Sequence, residues 1–320
     1  MHPFTTNVRE SIASLGELRL IDRIRGWLGS ASPRSPAGIG DDCAVLSGSP
    51  HLQLITVDPV IYREHFDDSI PPRGVGEKLF KRNLSDIAAM GGRPRGAVVA
   101  LALDSAVRLD WLAAFYRGLA AVARRHRVPV IGGDIARHQG GLVATLTLIG
   151  EATSGRALTR TGARTGDWIY VTGRLGGSLL GHHWRFQPRL LEGAWLAERP
   201  EVRALMDVSD GLAKDILGLT PNGCQAAIRP EDVPISRSAR IAARRSHRPA
   251  LEHALGDGED YELLFVVNAQ ADRAAFEAAW KARFKLKLSC LGRFERMPRD
   301  RVVGPSYVNW RDYHGYEHLR

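Results

Sequence analysis

The feature that most constrains this chain is an apolar run of strand character that meets an acid. Leu54-Ile55-Thr56-Val57 leads into Asp58, and three other stretches repeat the idea. Gly38-Ile39-Gly40-Asp41-Asp42 lies just before it. Val128-Pro129-Val130-Ile131 reaches Gly132-Gly133-Asp134, and Leu205-Met206-Asp207-Val208-Ser209-Asp210-Gly211 opens a helical pattern. Aspartate oxygens are hard ligands suited to Mg²⁺, which takes one or two carboxylates plus substrate phosphates rather than a full protein cage. Neighbouring glycines let backbone N–H groups approach phosphate oxygens. Any one loop aspartate is usually a turn former or helix cap. Four acid-bearing loops, each closing an apolar run, predict a shared site, because parallel strands of an α/β fold present their carboxyl ends to one crevice.

The 320 residues, 44% hydrophobic and 25% charged, are long enough for two cores. A composition change over Glu151 to Arg156 divides 1–151 from 152–320. The net charge of +9 would suit a polyanionic small molecule, an anionic membrane or nucleic acid. Arg124-Arg125-His126-Arg127 closes a predicted helix, where cations suit the dipole, and Arg237 to Arg248 reads as a solvated segment. No nucleic-acid module accompanies them, so no nucleic-acid partner is expected. Cys43, Cys224 and Cys290 have no C-x-x-C spacing and fit a reducing compartment. Charges from Arg9 to Arg23 interrupt any signal core, and no run of about 18 apolar residues occurs, so the expected location is cytoplasmic, without a membrane.

Periodicity sets the remaining frame. Ile12, Leu15, Leu18, Ile21, Ile24 and Leu28 predict an amphipathic helix over Val8–Leu28. A helix is predicted over Gly76–Met90, with Leu79, Phe80, Leu84 and Ile87 inward and Asn83 and Asp86 on a polar ridge beside them. Strands are expected at 53–57, 97–103, 128–131 and 142–150, with Gly132-Gly133-Asp134 as the turn between the last two. A helix over 109–127 puts Phe115 inward beside Tyr116. In the second half, Asp210 either caps a helix running to Leu219 or leaves its N-terminal amides for an anion. Gly173, Gly176 and Gly177 lack G-x-G-x-x-G spacing, and no G-x-x-x-x-G-K-[ST] exists, which excludes a P-loop kinase. The acids of Gly258-Glu259-Asp260-Tyr261-Glu262 require solvent or cations.

Taken together, these stretches resemble the thiamine-monophosphate kinase family, in the superfamily of aminoimidazole-ribonucleotide synthetase. The matching residues are Gly38–Val45, Asn83–Gly91, Gly132-Gly133-Asp134, Arg156–Arg160, Gly162–Gly173, Met206–Leu212 and Gly258–Phe265, in the family's order. The resemblance implies two α/β (α+β) domains, 1–151 binding ATP and magnesium and pairing its sheet in a homodimer, and 152–320 closing over the nucleotide. It implies direct, Mg²⁺-assisted transfer of the ATP γ-phosphoryl group to thiamine monophosphate. Carried over by position, Asp42, Thr56, Asp58, Asp86, Asp134, Asp207 and Asp210 would hold several magnesium ions. Tyr116, Gly133, Asp134, Arg160 and Ser209 would touch ATP, and His65, Glu259 and Tyr316 the acceptor. No protein nucleophile is implied, so no Ser/His/Asp constellation is expected. Val57, Gly177 and Leu319 depart from the family's usual residues, as do Arg63 and Glu64 in the acceptor loop 58–66. The alternatives are another ATP-dependent superfamily member with a different acceptor, or a non-catalytic nucleotide or thiamine-phosphate binder.

Overall fold

A computed structural model describes residues 1–15, 17–34, 37–39, 48–297 and 307–316. The chain divides into two compact units, Met1–Ile87 with Arg93–Ala152, and Ala88–Gly92 with Thr153–Arg320.

The first unit contains α1 (Glu17–Leu28), β1 (Gln53–Ile61), most of α2 (Pro72–Ala89), β2 (Gly92–Leu103), α3 (Leu109–His126), β3 (Val130–Arg137) and β4 (Leu142–Ala152). The sheet order is β1-β4-β2-β3. β1 runs antiparallel to β4, while β2 and β3 are parallel, joined by α3 as a parallel pair requires. Proline at the first position of α2 suits the helix start, where its missing N–H is no loss. Gly76 of α2 and Gly118 of α3 let these helices touch backbone to backbone, because a Cβ at either would come within 2.0 Å of the other helix's carbonyl oxygen. Arg124 closes the α1 side of the layer by donating to the Leu28 carbonyl at 3.2 Å.

Two sequence expectations fail in this unit. The predicted helix over 8–28 is α-helical only from Glu17, with two short 3-10 turns, Val8–Glu10 and Ile12–Ser14, before it. There, Ile12 and Ala13 donate their amides to the carbonyls of Val107 and Ser105, so tertiary pairing takes the groups a helix would use. Leu18 of the expected stripe is 79% exposed, and Leu20 is buried in its stead. The Gly132-Gly133-Asp134 stretch is no turn: it lies within β3, opposite Val98, Val99 and Ala100 of β2.

The second unit is built on β6 (Val202–Asp207), β8 (Leu263–Val267), β5 (Trp168–Thr172), β9 (Leu288–Arg296) and β7 (Cys224–Ile228), in that spatial order and with antiparallel pairings. Helices α4 (His182–Arg185), α5 (Leu190–Ala197), α6 (Leu212–Leu219), α7 (Arg237–Ser246), α8 (Ala250–Gly256) and α9 (Arg273–Arg283) complete it. The uninterrupted apolar run of β8 is explained by burial on both faces. Leu264 and Val266 join a core with α6 and α8, and Leu263, Phe265 and Val267 join one with Trp195, Phe276 and Trp280. Among the described residues no helix is long and apolar enough to cross a membrane.

Candidate functional site

In the first unit, residues 56 and 58 share a face of β1, and residues 82 and 86 share a ridge of α2 one turn apart. The two rows meet. Thr56 Oγ1 donates to Asp86 Oδ2, and Arg82 Nη2 donates to Asp58 Oδ1 at 3.3 Å while its Nη1 holds the Pro59 carbonyl at 2.8 Å. Asp58 does not end its strand, because β1 continues to Ile61. Val57 faces the other way with Ile55, and the two are 58% and 72% exposed. Asn83 is not on the polar ridge: it is buried, with Nδ2 bonded to the Leu79 carbonyl at 2.9 Å.

Following β1, Tyr62 and Phe66 bridge to close a tight turn, with Arg63 at φ 72°. His65 Nδ1 accepts the Ile61 amide at 3.3 Å, and the His65 carbonyl accepts from buried Lys78 Nζ at 2.8 Å. Lys78 and Arg82 therefore position the loop after β1 and the β1 acids from inside α2. Sequence reasoning passed over both, although cations on an otherwise apolar helical face are a visible signal.

Asp134 stands elsewhere in the same unit. β1 and β3 are opposite edges of the sheet, three strand spacings or about 14 Å apart. The register also puts Asp134 opposite exposed Ala100, whereas Thr56 and Asp58 pair with buried Leu148 and Leu146. Among the described residues of this unit, Asp58 and Asp134 therefore do not stand together at parallel strand ends, because β1 is antiparallel and its acids sit mid-strand. Asp134 instead lines a cavity of about 780 Å³ with Tyr116, Gly132, Gly133 and the apolar side chains of α1. Gly133 is required by the sheet, since a Cβ there would come within 2.1 Å of the Val99 carbonyl oxygen. Burial pushes the Tyr116 phenol above its ordinary range, so it remains a neutral hydroxyl. Asp42 lies outside the described residues.

In the second unit, β6 ends on buried Asp207, and α6 begins only at Leu212. The N-cap is Gly211, and neither Asp207 nor Asp210 caps the helix with its side chain. Asp215, inside the first turn, reaches back to accept the amides of Ser209 and Asp210, each at 3.0 Å. Burial, reinforced by the carboxylates of Asp207 and Asp210, pushes Asp215 up to about 7. Asp210 pairs with Lys214 at 2.7 Å. The 208–210 loop is stitched to the next acidic loop through Glu259 N to Ser209 O (2.7 Å), Tyr261 N to Val208 O (2.8 Å) and Val208 N to Glu262 O (2.8 Å). Glu259 and Tyr261 hold φ values of 53° and 52°, a left-handed conformation uncommon outside glycine. Tyr316 joins them by donating its amide to Asp210 O at 2.9 Å and accepting Lys214 Nζ at 2.8 Å. Asp207, Ser209, Asp210, Glu259 and Tyr316 thus share one loop cluster. Arg160 is exposed beside Gly218 of α6, on the segment whose Thr159 carbonyl receives the Leu205 amide.

The remaining acids here are structural. Buried Glu262 accepts Arg189 through two bonds, of 2.8 and 2.5 Å, and the Thr172 hydroxyl at 2.6 Å. Asp260 receives the Gly176 amide on both oxygens at 2.9 and 3.0 Å, and burial raises its pKa well above the usual carboxylate range. Asp257 receives the Gly177 amide at 2.8 Å. At Gly177, φ is 70° and a Cβ would lie 2.3 Å from Ser238 backbone carbon, so the departure at this position accompanies a close approach by α7. A Ser/His/Asp chain does occur: Ser246 Oγ lies 2.7 Å from His253 Nε2, whose Nδ1 lies 2.9 Å from Asp257 Oδ1. Asp257 also holds Gly177, and Ser246 Oγ takes the Arg248 amide at 3.2 Å. The chain therefore ties α7, α8 and the glycine turn together.

Among the described residues no three His, Cys, Asp or Glu side chains gather as a metal cage. The donors that are present are hard oxygens in ones and twos, the set Mg²⁺ accepts when phosphates complete its shell.

Residues 40–152 match the family model of AIR synthase related protein, N-terminal domain. A thiamine-monophosphate kinase of Salmonella typhimurium is 34% identical over 333 residues, which cover 95% of this chain and 98% of the relative. A crystal structure of thiamine-monophosphate kinase from Stenotrophomonas maltophilia K279a superposes with a TM-score of 0.72 at 32% identity, covering 88% of this chain and 95% of that one. AaThiL complexed with AMPPCP and TMP matches with a TM-score of 0.65 at 29% identity, covering 99% and 100%. The chain belongs to the thiamine-monophosphate kinase family.

Proposed function

We propose that this chain transfers the γ-phosphoryl group of ATP to the phosphate of thiamine monophosphate, giving thiamine diphosphate and ADP. The observation that carries the reading is family membership over almost the whole chain. The cavity beside Tyr116, Gly133 and Asp134 suits a flat heterocycle with a polar rim, because Ile21, Ile24, Val99 and Val130 supply apolar walls. We assign the nucleotide's contacts to these residues and to Arg160 and Ser209, and the acceptor's contacts to His65, Glu259 and Tyr316.

Mg²⁺, when bound, would neutralise phosphate charge and polarise the transferred group. Thr56, Asp58, Asp86, Asp134, Asp207, Asp210 and Asp42 are the oxygens we assign to it. Thr56 orients Asp86, Arg82 holds Asp58, and Lys214 holds Asp210. The acceptor phosphate is already ionised, so its oxygen attacks without a protein base, and the chain's own contribution is positioning.

The reading includes a homodimer, supported by the exposed apolar residues Ile55 and Val57 on edge strand β1. A cytoplasmic location agrees with the free thiols Cys224 and Cys290. Incubation with ATP, Mg²⁺ and a panel of phosphorylated acceptors, followed by phosphorus NMR, tests it. Thiamine monophosphate, and not free thiamine, should be converted with one ADP formed per turnover. ATP consumption only with another acceptor would assign a different substrate, as the altered loop 58–66 would then imply.

A further inference from the structure

A second cavity, of about 340 Å³, lies wholly within the second unit, between the glycine turn, the start of α7 and the Lys285-Leu286-Lys287 entry to β9. Two of its lining residues are acids, but both are committed inward. Glu262 is matched by Arg189 and Thr172, and Asp260 by the Gly176 amide. The cations of the lining are not matched. Arg174 makes one hydrogen bond, to the Ile235 carbonyl at 3.5 Å, and neither Lys285 nor Lys287 has an acidic partner among the described residues. Elsewhere in this unit exposed arginines do find acids, as Arg229 does with Asp232 and Arg248 with Glu252.

The backbone fixes where these charges stand. Leu286 is anchored through its carbonyl, which accepts Trp280 Nε1 at 2.9 Å, and the Lys287 carbonyl accepts the Gly173 amide at 2.8 Å. Residues 285 and 287 flank the anchored leucine at a bend just before β9, and both line the cavity. Arg174 follows Gly173 directly. Three like charges held around one concavity repel one another, and a bound anion relieves that repulsion. The half-buried Ser238 adds a hydroxyl that can donate to it.

We propose that this cavity binds a small phosphorylated anion, inorganic phosphate or a compact phosphate monoester, through Arg174, Lys285, Lys287 and Ser238. Its volume lies at the lower end of ligand pockets, which favours such a ligand over a nucleoside triphosphate. Guanidinium and ammonium groups together supply the charge-assisted donors that phosphate oxygens take. The proposal is independent of which acceptor the chain phosphorylates.

The test is calorimetric titration of the full chain, without ATP, using inorganic phosphate, glycerol phosphate and, at matched ionic strength, chloride. Four proteins are compared: wild type, Lys285→Gln with Lys287→Gln, Arg174→Gln, and Asp86→Asn. Phosphate should bind wild type and Asp86→Asn alike, and at least about tenfold more weakly to the two cation variants. All four should share the wild-type far-ultraviolet spectrum, since the three cations are exposed. Unchanged phosphate affinity in both cation variants, loss in Asp86→Asn alone, or an equal response to chloride would overturn the proposal. Stronger binding of glycerol phosphate than of phosphate would identify a monoester as the ligand, and the reverse would identify the free ion.

Discussion

The acids around β1 and α2 and the acids behind β8 solve the same problem in opposite ways. Asp58 and Asp86 are partly open, and they accept from a guanidinium and a hydroxyl among other contacts. Asp215 and Asp260 are buried, and their partners are backbone amides. A partly open carboxylate held by side chains stands where solvent or a ligand can reach it. A buried one satisfied by main chain fixes a loop and has little left to offer. Proximity to glycine does not separate the two kinds; what each oxygen already accepts does.

The largest effect should come from breaking the buried side. Arg189→Ala leaves Glu262 in the interior with only Thr172 and should cost about 3–5 kcal/mol in denaturant melts. Replacing both partners by apolar residues of similar volume should recover most of the loss. If the single variant melts like wild type, Glu262 is not the structural charge described here.

Breaking the open side should do the reverse. Asp86→Asn keeps an oxygen for the Thr56 hydroxyl and should leave the metal-free protein as stable as wild type, or more stable by about 0.5–2 kcal/mol. Turnover should fall by about 10²–10³-fold, because a charged ligand oxygen at the metal becomes a neutral amide. A variant that melts early yet stays active would make Asp86 a structural residue.

His65→Ala distinguishes binding from scaffolding in the loop after β1. The expected outcome is a KM for the acceptor raised about tenfold with the KM for ATP nearly unchanged. Equal changes for both substrates would reduce His65 to its hydrogen bond with the Ile61 amide.

The smallest effect is a pH slope. Asp215 is raised from 3.8 to about 7, so the folded chain keeps a proton there that the unfolded chain has released. Stability from this group is full below the ordinary aspartate value and is lost as pH rises through that window. Asp215→Asn should flatten the decline of the metal-free melting temperature between about pH 4 and pH 7. A variant that retains the wild-type slope would assign the proton to another group.

Local signals determined much of this protein. The helices α2 and α3 follow from apolar spacing, with Gly91 after the end of α2, although α2 begins at Pro72 rather than at the expected Gly76, and β4 and β8 follow from their β-branched and aromatic runs. The candidate residues were legible because acids and glycines at strand-like stretches are a short-range pattern. Tertiary structure decided the rest. Whether Asp58 ends a strand or sits within it depends on β4, which pairs past it to Ile61. That Asp134 stands three strands from Asp58 depends on sheet order, which side-chain periodicity does not encode. That Asp210 pairs with Lys214 and leaves the α6 N-terminus uncapped is likewise a tertiary outcome, since Lys214 itself reaches the Tyr316 carbonyl about a hundred residues away. Periodicity reports which face of an element is apolar; the partner of each polar atom is fixed only when distant segments meet.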